Sequence, residues 1–268
     1  MTEQILLEHK SIEFGFVTSK GKTMKKALVV ALTLALLPAT AALANPNVAE
    51  KKSGIEAKGY VWNSQEGGEK IEALKLKGDV KNGKEAYEIC GACHLPSGSG
   101  RPDGTFPQLA GQHSTVIIKQ IADIRAGLRD NPTMYPFAVT LSDAQELADV
   151  SAYIQTLCIP REHGMGSTDP VLLKHGEELY KKECTSCHGK TGEGDKSKFY
   201  PVLAGQHYKY MLRQVTEIRD GKRRNANPDM VKIVKKYSDH DLDSVVTYMS
   251  TLNMPGTLCA VKGAGKKK

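Results

Sequence analysis

With 268 residues, 40% apolar and 25% charged side chains and a mean hydropathy of -0.37, the chain has soluble composition and room for two small domains. That balance argues against a membrane-embedded body. The formal net charge of +7 identifies no partner by itself.

At the N-terminus, Met24-Lys25-Lys26 is followed by an apolar run over residues 27–44 that ends Ala-Leu-Ala. Basic, apolar and small-residue parts in that order predict a secretory signal cleaved after Ala44, leaving Asn45 first. Residues 1–23 do not belong to such a signal, so Met24 is read as the start and the preceding stretch as an over-extended reading frame. The alternative, an uncut membrane anchor, is disfavoured by Pro38 and the small-residue ending. The exported part then carries 32 basic and 27 acidic side chains. An N-terminal arm over residues 45–77 follows; it is polar and Gly-rich, holds the only tryptophan, Trp62, and is expected to wrap the first domain or stay partly mobile.

Beyond it the chain repeats itself. At an offset of 94, Cys90 pairs with Cys184, His94 with His188, Pro107 with Pro201, His113 with His207 and Arg125 with Arg219. The densest agreement is Phe-Pro-Gln-Leu-Ala-Gly-Gln-His at residues 106–113 against Tyr-Pro-Val-Leu-Ala-Gly-Gln-His at residues 200–207. A two-residue insertion then moves the offset to 96 and pairs Met134 with Met230. The domains are placed at residues 78–158 and 171–258, joined by a Pro- and Gly-containing linker over 159–170 and followed by a basic tail over 259–268.

Helical spacing runs through Ile117, Ile121, Ile124 and Leu128, and through Leu147, Val150, Ile154 and Leu157; Leu212, Val215 and Ile218 and then Leu242, Val245, Met249 and Leu252 repeat it. Ser142 with Gln145, and Ser238 with Asp241, read as helix N-caps. Strand alternation is absent from the pattern, so the expected fold class is all-α: a tandem pair of small helical domains.

Each repeat has a thin core for its size and few aromatics, which calls for another filler. Cys-Gly-Ala-Cys-His at residues 90–94 and Cys-Thr-Ser-Cys-His at residues 184–188 supply it: two thiols three residues apart, with an adjacent imidazole, are the spacing that attaches c-type haem. Cys90, Cys93, Cys184 and Cys187 are the expected covalent attachment points, and His94 and His188 the iron ligands. A shared four-cysteine zinc site or a redox dithiol is weaker, because each pair is followed directly by His and no βαβ pattern surrounds it. For the second axial ligand, Met134 and Met230 are the methionines, among eight, that occupy matching places in the two copies. His113 and His207 are the rivals, although their place before a helix suits a surface or capping role.

These residues, with Gly83 and Tyr87 and again Gly176 and Tyr180 ahead of the two motifs, resemble the dihaem class I cytochromes c of the cytochrome c4 type over about residues 78–256. The resemblance implies two small cytochrome c domains, each wrapped around a covalent haem, with His94 and Met134 on one iron and His188 and Met230 on the other. It also implies that the Pro107 and Pro201 carbonyls hold the ligand imidazoles, and that Arg125, Arg129, Arg219 and Arg223 are propionate contacts or ordinary surface arginines. The expected role is periplasmic transfer of single electrons without enzymatic activity. The partners would be a quinol-oxidising complex and a terminal oxidase or reductase, with a dehydrogenase subunit, for example in sulfur-compound oxidation, as the alternative and a dihaem peroxidase a weaker one. Nucleic acid is not an expected partner; the basic patches at residues 222–224, 235–236 and 266–268 leave docking of an acidic protein or peripheral membrane association open.

Two features depart from the repeat. The first copy has one residue fewer between its glycine and its motif, and Cys158 and Cys259 have no counterparts. In an oxidising compartment these two cysteines either form a disulfide or remain free thiols. Intact mass and N-terminal sequencing of the purified protein should give Asn45 as its first residue; a mature chain retaining Met1 contradicts the export reading.

Overall fold

The computed structural model describes residues 68–259; the signal, Trp62 with most of the N-terminal arm, and the lysines at 266–268 lie outside the described residues. Ten α-helices follow in chain order: α1 (Gly68–Lys75), α2 (Val80–His94), α3 (Ser114–Arg125), α4 (Tyr135–Ala138), α5 (Ala144–Thr156), α6 (Pro170–Leu179), α7 (Thr185–His188), α8 (Tyr208–Arg219), α9 (Pro228–Val234) and α10 (Asp239–Met249). The described residues contain no strand, only two isolated bridges. The last part of the N-terminal arm is ordered as α1, which buries Ile71 and Ala73 and packs against α3 and α5.

The helices start where short polar side chains satisfy their free N–H groups. The Asp79 carboxylate accepts from the N–H groups of Lys81 and Asn82 at 2.8 and 3.0 Å, opening α2. Ser238 caps α10 as expected, in a reciprocal capping box with Asp241. In the first copy the cap moves one residue on: Asp143, not Ser142, caps α5, accepting from the Glu146 N–H at 2.9 Å. The cause is the position of the acidic partner. Glu146 stands three residues after Asp143, and its carboxylate accepts from the Ser142 N–H at 2.6 Å.

Each copy is built on one close helix crossing, α2 on α5 and α6 on α10. Gly83 lies against the main chain of Asp149 and the Cβ of Tyr153, and Gly176 against the main chain of Ser244 and the Cβ of Tyr248. A Cβ at either glycine would run into the facing carbonyl, so the approach requires a residue without one. Four residues on, Tyr87 and Tyr180 lie against Tyr153 and Tyr248 with ring centroids 5.3 and 5.5 Å apart. The extra residue of the second copy is taken up between these landmarks. It appears as a π-helical turn over Tyr180–Cys184, which keeps glycine, tyrosine and cysteine motif on corresponding faces despite the length difference.

The apolar side chains form two separate cores. One gathers Tyr87, Ile117, Ile121, Leu147, Val150 and Ile154; the other gathers Tyr180, Met211, Val215, Leu242, Val245 and Met249. A small third cluster of Ile159, Val202 and Ala204 joins them. Ile159, 1% exposed, packs against both Gly111 and Gly205, which are equivalent in the repeat. Its N–H donates to the Thr257 carbonyl and its own carbonyl accepts from the Cys259 N–H, each at 2.9 Å. Cys158 and Cys259 are joined by a disulfide, so of the two alternatives open in the sequence the free thiols are excluded. The bond closes a chain separation of 101 residues around the second copy. On a chain-entropy account a loop near that length stabilises by roughly 5 kcal/mol.

Gly83→Ala and Gly176→Ala should each force their helix pair apart and cost about 1–3 kcal/mol. Denaturant unfolding of the haem-loaded protein measures this; unchanged stability in both variants would contradict the close-crossing account.

Candidate functional site

The motif of the first copy ends α2, and that of the second spans the π-helical turn and α7. His94 and His188 are 6% and 9% exposed. Each imidazole is held from behind: His94 Nδ1 donates to the Pro107 carbonyl at 2.9 Å and His188 Nδ1 to the Pro201 carbonyl at 3.3 Å. A carbonyl oxygen can only accept, so these bonds place the proton on Nδ1 and leave Nε2 as the nitrogen available to a metal. Burial pushes both imidazoles below their ordinary pKa against the opposing pull of the proline carbonyls, which favours the neutral, ligating form. The turn after each motif is fixed by the conserved tyrosine of the repeat: Tyr87 Oη donates to the Leu95 carbonyl at 2.9 Å and Tyr180 Oη to the Gly189 carbonyl at 2.7 Å.

Cys90 and Cys93 are half-buried, Cys184 is buried and Cys187 half-buried. Burial raises the Cys90 thiol to about 11 and the Cys184 thiol to about 12, so neither is a ready thiolate. The four thiols do not form a shared zinc site. Among the described residues, the one group of three or more His, Cys, Asp or Glu ligand atoms near enough to share an ion lies elsewhere, at His175, His240 and Asp241.

All eight expected site residues, Cys90, Cys93, His94, Met134, Cys184, Cys187, His188 and Met230, line one cavity of about 740 Å³ that runs through both copies. Its walls are largely apolar, with Ile117, Ile121 and Ile124 in the first copy and Met211, Val215 and Ile218 in the second. A flat, largely apolar macrocycle fits this space: each half offers two thiols, one oriented imidazole and a thioether among apolar core side chains, with Arg129 and Arg223 also on the wall. Asn131 and Asn227 position the methionine loops. Asn131 Oδ1 accepts from the Met134 N–H at 3.1 Å, and Asn227 Oδ1 caps α9 through the Asp229 N–H at 2.8 Å.

His113 and His207 do not line the cavity, and the surface or capping role expected for them is corrected by their contacts. Each stands at a helix N-cap without making a side-chain cap bond. Each reaches instead into the other copy: His113 Nε2 donates to the Glu193 carbonyl and His207 Nε2 to the Ser99 carbonyl, both at 2.8 Å. His207 is 1% exposed, and its Nδ1 accepts from the Gly164 N–H of the linker at 3.0 Å, so both ring nitrogens are occupied. The preceding glutamines do the same. Gln112 accepts from the Val202 N–H and donates to its carbonyl at 2.9 and 3.0 Å; Gln206 accepts from the Gln108 N–H and donates to its carbonyl at 3.0 and 2.9 Å. Ser99 and Glu193, and Gln108 and Val202, are 94 residues apart, so the glutamine contacts and the histidine Nε2 contacts each occur twice about a local pseudo-twofold axis, whereas the Gly164 contact belongs to His207 alone.

The arginines divide in two. Arg125 braces its own copy through the carbonyls of Ala138 and Leu141 and the Glu69 carboxylate, and Arg219 does so through Asp220 and Asp239. Arg129 and Arg223 line the cavity and meet across the joint, each donating to both Gln120 and Gln214 at 2.9–3.0 Å. Burial, with Arg129 alongside, pushes the Arg223 guanidinium down to about 10. The resemblance implies a pseudo-twofold interface between the two domains, but sequence reasoning missed the residues that form it. Its signal was the exact repetition of Ala-Gly-Gln-His, polar residues that a surface loop would not need to keep in register.

Comparison with known proteins matches the cytochrome c family model to residues 80–158 and again to residues 173–253. The chain belongs to the cytochrome c family. Cytochrome c4 of Azotobacter vinelandii is 34% identical over 195 residues, covering 66% of this chain and 90% of the relative. The thiosulfate dehydrogenase electron acceptor of Stutzerimonas stutzeri is 32% identical over 201 residues, covering 69% and 92%. The crystal structure of reduced cytochrome c4 from Pseudomonas stutzeri superposes with a TM-score of 0.57 at 32% identity, over 66% of this chain and all of that one. The protein is thus a dihaem electron-transfer cytochrome of the cytochrome c4 type, with haem c as its covalently bound cofactor.

Gln112→Ala and Gln206→Ala each strip a buried main-chain N–H and C=O of the other copy of their partners. Each should cost about 1–3 kcal/mol and loosen the docking of the two cytochrome domains, read as lowered unfolding cooperativity and raised amide exchange at Val202 or Gln108; native exchange at both would contradict the clasp.

Proposed function

We propose that the protein carries single electrons between periplasmic redox proteins through two haems, one bound by Cys90 and Cys93 with His94 and Met134 on its iron, the other by Cys184 and Cys187 with His188 and Met230. The domain bounds that go with this reading are residues 78–158 and 171–258. The observation that carries it is the doubled ligand set: in each half of one apolar cavity, an imidazole backed by a proline carbonyl and a methionine share the walls. Met211 and Met249 line the cavity too, but their counterparts in the first copy are Ile117 and Ile154, so they answer to packing. His113 and His207 are committed to the interface.

A haem with both axial positions filled by protein exchanges electrons and has no open position for substrate. The residues of the chain perform the remaining tasks. Pro107 and Pro201 fix imidazole orientation; the thioether side chains, softer than a second imidazole, would hold the potential of a bound haem high. Burial excludes water from both ligand imidazoles, and Arg129 and Arg223 would face the carboxylates of the bound groups at the joint. The signal sequence supports export to the periplasm, and the pairing of one histidine with one methionine in each half, which would leave a bound iron no place for substrate, supports a carrier role without catalysis.

A respiratory shuttle between a quinol-oxidising complex and a terminal oxidase or reductase is the favoured setting. The likeness to a thiosulfate dehydrogenase electron acceptor supports a second, in which this chain takes electrons from a sulfur-compound dehydrogenase. Co-purification of a native dehydrogenase subunit would favour the second. Met134→His and Met230→His should each remove about half of the weak far-red ferric band and lower the potential of one haem. A variant that leaves band and both potentials unchanged would show that its methionine is not a ligand.

A further inference from the structure

The second copy carries a constellation that electron transfer does not use. His175 stands in the second turn of α6, and His240 and Asp241 in the first turn of α10. One ligand atom from each of the three lies within 4.8 Å of the others. His175 Nε2 and Asp241 Oδ1 are 2.7 Å apart, and the two imidazole rings lie 5.4 Å apart, inclined by 32°. We propose that His175, His240 and Asp241 form a binding site for a divalent transition-metal ion of the zinc and copper class.

The chemistry of the donors sets the class. Two imidazoles and one carboxylate suit zinc or copper(II), whereas magnesium and calcium take oxygen donors. The carboxylate is already oriented: Asp241 Oδ2 accepts from the Ser238 N–H at 3.0 Å and from its hydroxyl at 2.7 Å, which leaves Oδ1 directed to the histidines. On metal entry the proton between His175 Nε2 and Asp241 Oδ1 moves through solvent to Nδ1 of the same ring, so that a neutral imidazole and a carboxylate ligate the ion and water completes the coordination shell. The exposure of His240 gives the ion a direct path.

The ordinary alternative is a helix-to-helix ion pair with a bystander histidine. The repeat argues against it. The equivalent positions in the first copy are Asn82, Ala144 and Gln145, where Gln145 donates to Asp149 at 2.6 Å and to the Lys77 carbonyl at 3.2 Å. The same helix crossing is therefore held without any of the three ligands. Asp241 also serves the capping box of α10, but the two histidines beside it appear in this copy alone and the crossing does not require them.

The test is calorimetric titration of Zn²⁺ into chelator-treated, ferric, haem-loaded protein at neutral pH, beside His240→Ala and His175→Ala. Wild type should bind one ion with micromolar affinity and gain thermal stability on binding. Each variant should weaken binding by about tenfold or more. His240 is exposed and makes no side-chain hydrogen bond among the described residues, so His240→Ala, with its haem spectrum unchanged and its metal-free melting temperature as in wild type, decides the matter if His175→Ala fails to mature. Absence of binding, or Zn²⁺ affinity unchanged in His240→Ala, overturns the proposal. The readout is independent of how the haems are ligated.

Discussion

The bond from a buried imidazole to a proline carbonyl, His94 to Pro107 and His188 to Pro201, is the constraint on which the rest of each domain depends. It ties the end of the helix that presents the cysteines to the loop that leads into the next helix, across 13 residues of chain. It also assigns the proton, and so decides which nitrogen can meet a metal. Everything nearby serves to keep that ring in place. Tyr87 and Tyr180 lock the following turn, and glycine at the helix crossing lets α2 and α6 sit close enough to their partners to hold the motif over the cavity.

A small helical domain with few aromatics has too little apolar area of its own for a dense core. Here the apolar side chains of each copy surround a space in place of closing it, and the spaces of the two copies run together. The joint between the copies is correspondingly polar. Glutamine and histidine clasp main-chain groups of the opposite copy in symmetric pairs and Arg129 and Arg223 share the Gln120 and Gln214 side chains, with a small apolar plug at Ile159 where the linker passes between equivalent glycines. Directional hydrogen bonds fix relative orientation more tightly than apolar contact does, which suits two redox centres whose separation must not drift. The disulfide between Cys158 and Cys259 anchors the plug from outside.

Much of this was legible in the sequence. The spacing of cysteine and histidine named the cofactor, and the doubling of the motif named the architecture, because both depend on short-range covalent geometry. The helices were legible for the same reason: Ile117, Ile121 and Ile124 repeat at the helical period and face inward. The cap of α5 was misplaced by one residue because Ser142 and Asp143 are both good caps, and only the reach of Glu146 separates them. The cross-domain contacts were not legible. Pairing of His113 with Glu193, or of Gln206 with Gln108, is a consequence of how two units dock, and no local pattern encodes that. The length mismatch before the second motif, obscure in the sequence, has a simple geometric answer in one π-helical turn.

The central claim is that both irons are held by one imidazole and one thioether within equivalent pockets. Iron-edge X-ray absorption fine structure of the purified ferric protein tests it most directly. The account predicts one sulfur scatterer for each iron with the remaining ligands nitrogen. A spectrum fitted by nitrogen alone, or by a single sulfur shared over two irons, would contradict it.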